Sequence, residues 1–291
     1  MRFLRAFLVL SAAAAVGCGQ EDVNVTLQKV TTARELAAHL TVQFTMASDA
    51  ANRAVMADTD ETSITFAKES RDAAAAVQKD VDELHPTLKA LDYADEDKLL
   101  TEFATSFSEY RRLDENVLAL AVENTNLKAQ RLAFGPAQDE ADKFRDALKS
   151  LSPISPAEAW HVNALAAEAT MTIREIQVLQ GPHIADADEA VMTRMEKEMS
   201  TSQAKAQNSL VALRPLVASD SRAKLVTAEG ALKRFMELNT QLIALSRRNT
   251  NVHSLMLSLD EKRKATLACQ DKLRELQAAL GKRGYTGIRE R

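Results

Sequence analysis

Apolar residues recur along this chain at steps of three and four. Leu36, Leu40, Phe44, Ala47, Ala51 and Ala54 form a first stripe, which predicts a helix over about 27–58. A polar turn follows at Thr59-Asp60-Glu61. Ala74, Val77, Val81, Leu84, Leu88 and Leu91 then alternate the two steps, the spacing of a knobs-into-holes seam. Pro86 lies inside this second helix and predicts a kink or an early end. Phe103, Tyr110, Leu113, Val117, Leu120 and Leu127 mark a third helix over about 95–134, stopped by Gly135-Pro136. A shorter fourth, 137–150, carries Ala137, Ala141, Phe144, Leu148 and Leu151.

The scheme then restarts. A fifth helix is predicted over 157–180, ending at Gly181-Pro182. Met192, Met195, Met199, Ser202, Ala206, Ser209, Leu213 and Leu216 carry a sixth. Leu225, Leu232, Phe235, Leu238, Leu242, Leu245 and Val252 carry a seventh, and Cys269, Leu273, Leu276 and Leu280 an eighth that ends at Gly281. No β-branched run alternates with period two, so no strands are predicted. Leu84-His85-Pro86 matches Leu213-Arg214-Pro215 at an offset of 129, and Asn124-Thr125-Asn126 matches Asn249-Thr250-Asn251 at 125. The expected fold is all-α: two tandem antiparallel four-helix bundles, 27–152 and 157–281, joined near Ser152 to Pro156. A single extended eight-helix array is the alternative.

Composition agrees with thin helical bundles. Apolar residues make up 46% but aromatics only 4%, with eight Gly and six Pro. The net charge of −4, with acids and bases interspersed, gives no basic face and excludes nucleic acid as a partner. The basic residues at 282–291, among them Lys282, Arg283, Arg289 and Arg291, are expected to form a frayed tail.

The first twenty residues carry an address. Arg2 and Arg5 precede an apolar run from Ala6 to Val16, about 11 residues against the ~20 that span a bilayer. Charge, short apolar middle and small-residue end are the pattern of a secretory signal over 1–17. Ala15-Val16-Gly17-Cys18 resembles the lipobox of bacterial lipoproteins. The resemblance implies acylation of Cys18, with residues 18–26 as a tether and the membrane as partner through the lipid. Each buried CH₂ of such a chain contributes ~0.8 kcal/mol to anchoring. Gly19 after the Cys favours the outer membrane of a bacterial envelope, with the protein facing the periplasm.

Residues 27–150 resemble the four-helix-bundle sensor domain of bacterial chemoreceptors. The likeness rests on ANRAVMADTDETS with Arg53 near the end of the first helix, on the tight turn after it, and on FSEYRRLDENVLALAVENTNLKAQRLA followed by a Gly-Pro break. The second half repeats it more faintly. Such receptors flank the sensor with transmembrane helices and a cytoplasmic rod, and no mature segment of this chain is apolar enough to span. The resemblance therefore implies ligand binding without a signalling output of its own.

Three residues are candidate ligand contacts. Asn124 falls on the seam through Leu113, Val117, Leu120 and Leu127, and Asn249 falls on the seam through Leu238, Leu242, Leu245 and Val252. A buried Asn either fixes helix register or forms the polar floor of a site. Arg53 either neutralises a small carboxylate or sits solvated near Asp49, Asp58 or Asp60. Glu158-Ala-Trp-His161 has the Glu-x-x-His spacing of di-iron bundles but lacks the second pair, and Asp82-Glu-Leu-His85 has Asp for Glu. No metal and no cofactor are expected. No hydrolase or phosphate-binding motif occurs, so the chain is not expected to be an enzyme. Cys269 reads as a small core residue. Two functions compete: a lipid-anchored module that binds a small organic ligand, an envelope protein or a second copy, and a structural or assembly lipoprotein acting as a rigid helical scaffold.

Overall fold

A computed structural model describes residues 18–283, with side chains described from residue 23. Cys18, the candidate for acylation, enters only as backbone, and the basic residues beyond 283 lie outside the described part. The described chain is α-helical: α1 (Cys18–Met56), α2 (Asp60–Ala90), α3 (Ala94–Glu123), α4 (Thr125–Leu132), α5 (Gln138–Lys149), α6 (Ala159–Ala185), α7 (Glu189–Leu213), α8 (Arg222–Arg248), α9 (Thr250–Leu257) and α10 (Arg263–Lys282). No strand occurs among the described residues beyond one isolated bridge, Pro153 to Val217. The all-α expectation holds.

Several predicted ends move. Pro86 lies inside α2 and does not end it. Likewise α6 runs through Gly181-Pro182 to Ala185 and closes with the Asp186 amide on the Pro182 carbonyl at 3.0 Å. A helical proline removes one hydrogen bond, and packing on both sides of it offsets that loss. Gly135-Pro136 sits in a π-turn, Ala133–Ala137, where Gly135 leaves helical geometry at φ −112° and ψ −105°. The expected tether over 18–26 is helical backbone, continuous with α1. Arg283 is docked rather than frayed: its guanidinium pairs with Glu96 at 2.8 Å and lies 4.6 Å from the Tyr93 ring centroid.

The chain forms two compact units, and they do not follow the two sequential halves. Among the described residues the first comprises 18–50, 68–112 and 261–283; the second comprises Ala51–Ala67 and Leu113–Asp260. The first unit is a four-helix bundle of α1, α2, α3 and α10. Leu40, Phe44, Val77, Leu84, Phe103 and Tyr110 share its core with Cys269, Leu273 and Leu276. Polar contacts fix the register of α10: Arg34 Nη2 donates to the Leu280 carbonyl at 3.2 Å, Gln277 Nε2 to Thr41 Oγ1 at 2.9 Å, and Lys272 pairs with Glu102 at 2.8 Å. In the second unit α5 joins α6, α7 and α8, with Phe144, Ile173, Ile176, Leu210, Leu213 and Phe235 in one core. Each bundle thus takes its fourth helix from the other half of the sequence. An apolar stripe specifies that a helix must be covered, not by which neighbour, because apolar burial is non-directional.

Candidate functional site

The turn into each fourth helix is made by the repeated Asn-Thr-Asn. Asn124 separates α3 from α4 with φ 50° and ψ 39°, and Asn249 separates α8 from α9 with φ 49° and ψ 36°. Left-handed backbone is costly for L-residues, and Asn is among the few that adopt it readily. The two Asn are therefore helix breaks, where the periodicity placed them inside continuous helices. The break frees two amides in each copy, and the copies satisfy each other. Thr125 N donates to Thr250 Oγ1 at 3.2 Å, and Thr250 N to Thr125 Oγ1 at 3.1 Å. Asn126 N donates to Asn251 Oδ1, and Asn251 N to Asn126 Oδ1, both at 3.1 Å. Asn251 Nδ2 donates to Asn124 Oδ1 at 2.9 Å, and Asn126 Nδ2 to Asn249 Oδ1 at 2.6 Å. The pattern is a local two-fold: each bond from one copy returns from the other. Two differences break the symmetry: Asn126 Nδ2 also donates to the Ile184 carbonyl at 2.5 Å, and the first Asn of each copy differs. Asn249 Nδ2 reaches the Asp186 carbonyl at 2.6 Å, whereas Asn124 Nδ2 is buried without a partner among the described residues.

Beside this junction lies a buried polar cluster that the sequence reading missed. His183 and Ser246 are both fully buried. His183 Nδ1 lies 2.8 Å from Ser246 Oγ, and Nε2 lies 2.9 Å from Glu196 Oε1. Arg247 holds the same Glu196 oxygen at 2.7 Å and also pairs with Glu189. The Arg247 hydrogen bond, with a further one from His183, keeps the Glu196 carboxyl below the usual carboxylate range. A Ser-His-Glu relay invites comparison with a hydrolase. Here, though, Ser246 Oγ also bonds the His183 carbonyl at 2.7 Å, and burial leaves no path for a substrate to the hydroxyl. The cluster straps α6, α7 and α8 together.

Arg53 is exposed on α1, with its guanidinium 3.9 Å from the Phe66 ring centroid. It stacks there rather than meeting Asn124 or Asn249. His85 pairs with Asp97 at 2.6 Å, and His161 lies 3.2 Å from Glu158 at the surface. No group of three His, Cys, Asp or Glu side chains suited to a metal occurs among the described residues. Burial pushes the Cys269 thiol up to about 12.

The space for a ligand lies elsewhere. In the second unit α7 and α8 flank a solvent-open groove of about 500 Å³. Leu210, Leu232 and Met236 give it an apolar floor; Gln203, Gln207 and Thr240 add neutral polar groups; Lys233, Glu237 and the Arg214–Glu229 pair, at 2.8 Å, supply charge of both signs. None of these groove residues was singled out as a site from the sequence, where they alternate with core positions.

Residues 26–170 match the family described as a four helix bundle sensory module for signal transduction. Over these residues the chain belongs to that family. The sensory module takes in α1 through α5 and enters α6, so its matched span includes the helix α5 that packs in the second unit. No curated protein matches the chain. Among the described residues no helix is long and apolar enough to cross a membrane.

Proposed function

We propose that the protein is a sensory lipoprotein of a bacterial envelope, anchored through Cys18, that binds a small organic ligand in the groove between α7 and α8. The groove carries the reading: about 500 Å³ lies within the range of small-molecule sites, apolar inside with a few polar groups at its edges. A carboxylate with an apolar body suits it, the body against Leu210, Leu232 and Met236 and the charge beside Lys233. Asn124 and Asn249 then serve by fixing the junction, and Arg53 by holding the α1–α2 turn. In this reading the bound state is passed on to a partner protein. The competing scaffold reading is favoured by one observation, the apolar outer face of α6.

A thermal-shift screen of organic acids, amino acids and aromatic acids tests the binding reading. A ligand present at 100 times its dissociation constant stabilises by about 2.7 kcal/mol. Lys233→Glu is expected to abolish the shift while leaving the apo melting point near that of the parent. If no compound shifts the parent, or if the shift survives Lys233→Glu, ligand binding in the groove is wrong.

A further inference from the structure

Helix α6 is apolar on two sides. Its inner face, including Val162, Ala169, Ile173 and Ile176, is buried in the second unit's core. Its outer face carries Trp160, Met171 and Val178, which are 66%, 63% and 72% exposed. Ala164 and Ala167, also exposed, lie between them. Trp160, Ala164, Ala167, Met171, Arg174 and Val178 step by four, three, four, three and four, which places them in one straight seam of coiled-coil spacing. A surface helix needs one apolar stripe to hold it on its core. This one has a second, facing solvent.

The repeat supplies a control. At the offset of 129 the core of α6 falls on that of α1: Val162 on Ala33, Ala169 on Leu40, Ile173 on Phe44 and Ile176 on Ala47. The outer seam falls on Thr31, Glu35, Ala38, Val42, Thr45 and Asp49. Those positions are mostly polar. The outer stripe is therefore particular to α6 and is not a consequence of the repeated bundle.

We propose that this face is covered by α6 of a second copy of the chain, packed antiparallel. The seam is complementary to itself in that direction. About a two-fold axis beside Ala169, Trp160 lies opposite Val178 of the second copy, Ala164 opposite Arg174, and Ala167 opposite Met171. At the two inner levels a small residue meets a long one. A parallel pair instead sets Arg174 against Arg174 and Ala against Ala, which joins like charges and leaves gaps. The flanks permit the approach. Ser209 Oγ donates to Glu168 at 3.0 Å and Ser202 Oγ to Glu175 at 2.7 Å, which draws both carboxylates toward α7. The other flank, Asn163, Thr170 and Gln177, is uncharged.

Cysteine cross-linking in intact cells expressing the full chain tests the arrangement. Buried Cys269, with its thiol pushed up to about 12, stays unreactive under a mild oxidant. Chains carrying Ala167→Cys and chains carrying Met171→Cys, co-expressed, are expected to form a cross-linked dimer several-fold more abundant than either gives alone. Adding Trp160→Asp to both is expected to lower the yield about tenfold, the loss typical of removing an aromatic anchor from an interface. All three positions are exposed, so circular dichroism should show the parent fold in each variant. The proposal is overturned if Ala167→Cys alone cross-links best, if no cross-link exceeds that of the parent, or if Trp160→Asp changes nothing. Trp160 is the sole tryptophan. A blue shift of its emission on adding lipid vesicles, without cross-linking, assigns the face to a lipid surface and also overturns the proposal.

Discussion

The two bundles follow one plan and fill it differently. In the first unit four rings interlock. Phe44 meets Phe103, Phe107 and Tyr110 edge-on at 6.1, 6.2 and 5.0 Å between centroids, and Phe107 stacks on Phe103 and Tyr110 at 5.6 and 6.0 Å. The corresponding positions in the second unit hold Ile173, Ala228, Leu232 and Phe235. Three rings are replaced by smaller aliphatic side chains, and in that unit α7 and α8 flank a groove. Large rings close a bundle and bind its helices together. Smaller residues on the same plan leave room between helices.

The largest effect should come from emptying the filled core. Phe44→Ala is expected to cost about 4 kcal/mol in urea unfolding, against about 2–3 kcal/mol for Ile173→Ala at the matching site. An equal or larger cost at Ile173 would break the contrast between a filled and an open bundle. Next comes the junction, where the two halves are most alike. Asn126→Ala removes the donor to Asn249 and the acceptor of the Asn251 amide, and should cost about 2 kcal/mol. Asn251→Ala should cost a similar amount. Because each uses the other, the double variant should cost less than the two together, as a double-mutant cycle in urea would read. Strict additivity would show that the two reciprocal bonds act independently of each other.

The smallest effect is electrostatic and sits where the halves differ. At the level of His183 and Ser246 the first half has Ala54 and Ala121, whose carbonyls both accept from Ser63 Oγ, at 3.2 and 3.0 Å. Only the second half carries a titratable strap there. The Arg247 hydrogen bond, then that of His183, holds the Glu196 carboxyl below the ordinary glutamate range. A group with a lowered folded pKa contributes stability that is present above its unfolded value and lost as pH falls through the folded one. Stability should therefore decline below about pH 4.5, and Glu196→Gln should lower it at neutral pH while flattening that acid decline. An unchanged acid slope in melting-point measurements would mean that Glu196 is not coupled to folding.

The sequence by itself determined the helices, their inner faces and the repeat. Steps of three and four leave one stripe per helix, so Phe44, Val81, Met199 and Leu276 could be assigned to cores without coordinates. It also carried the family, through the pattern around Arg53 and Asn124. What it left open was decided by tertiary structure for identifiable reasons. A seam Asn and a helix-breaking Asn occupy the same place in a period-3.6 pattern. Only the left-handed backbone at Asn124 and Asn249, held by bonds between segments 125 residues apart, tells them apart. His183 stood beside a proline that reads as a helix end, so its burial could not be foreseen. The outer stripe of α6 was masked by the inner one, since a helix apolar on both sides shows little periodicity. The choice of α10 rather than α5 for the first bundle had no local signal at all. Any helix with a matching stripe satisfies a non-directional force, and the choice fell to side-chain contacts such as Arg34 with Leu280 and Lys272 with Glu102, which exist only once the chain has folded.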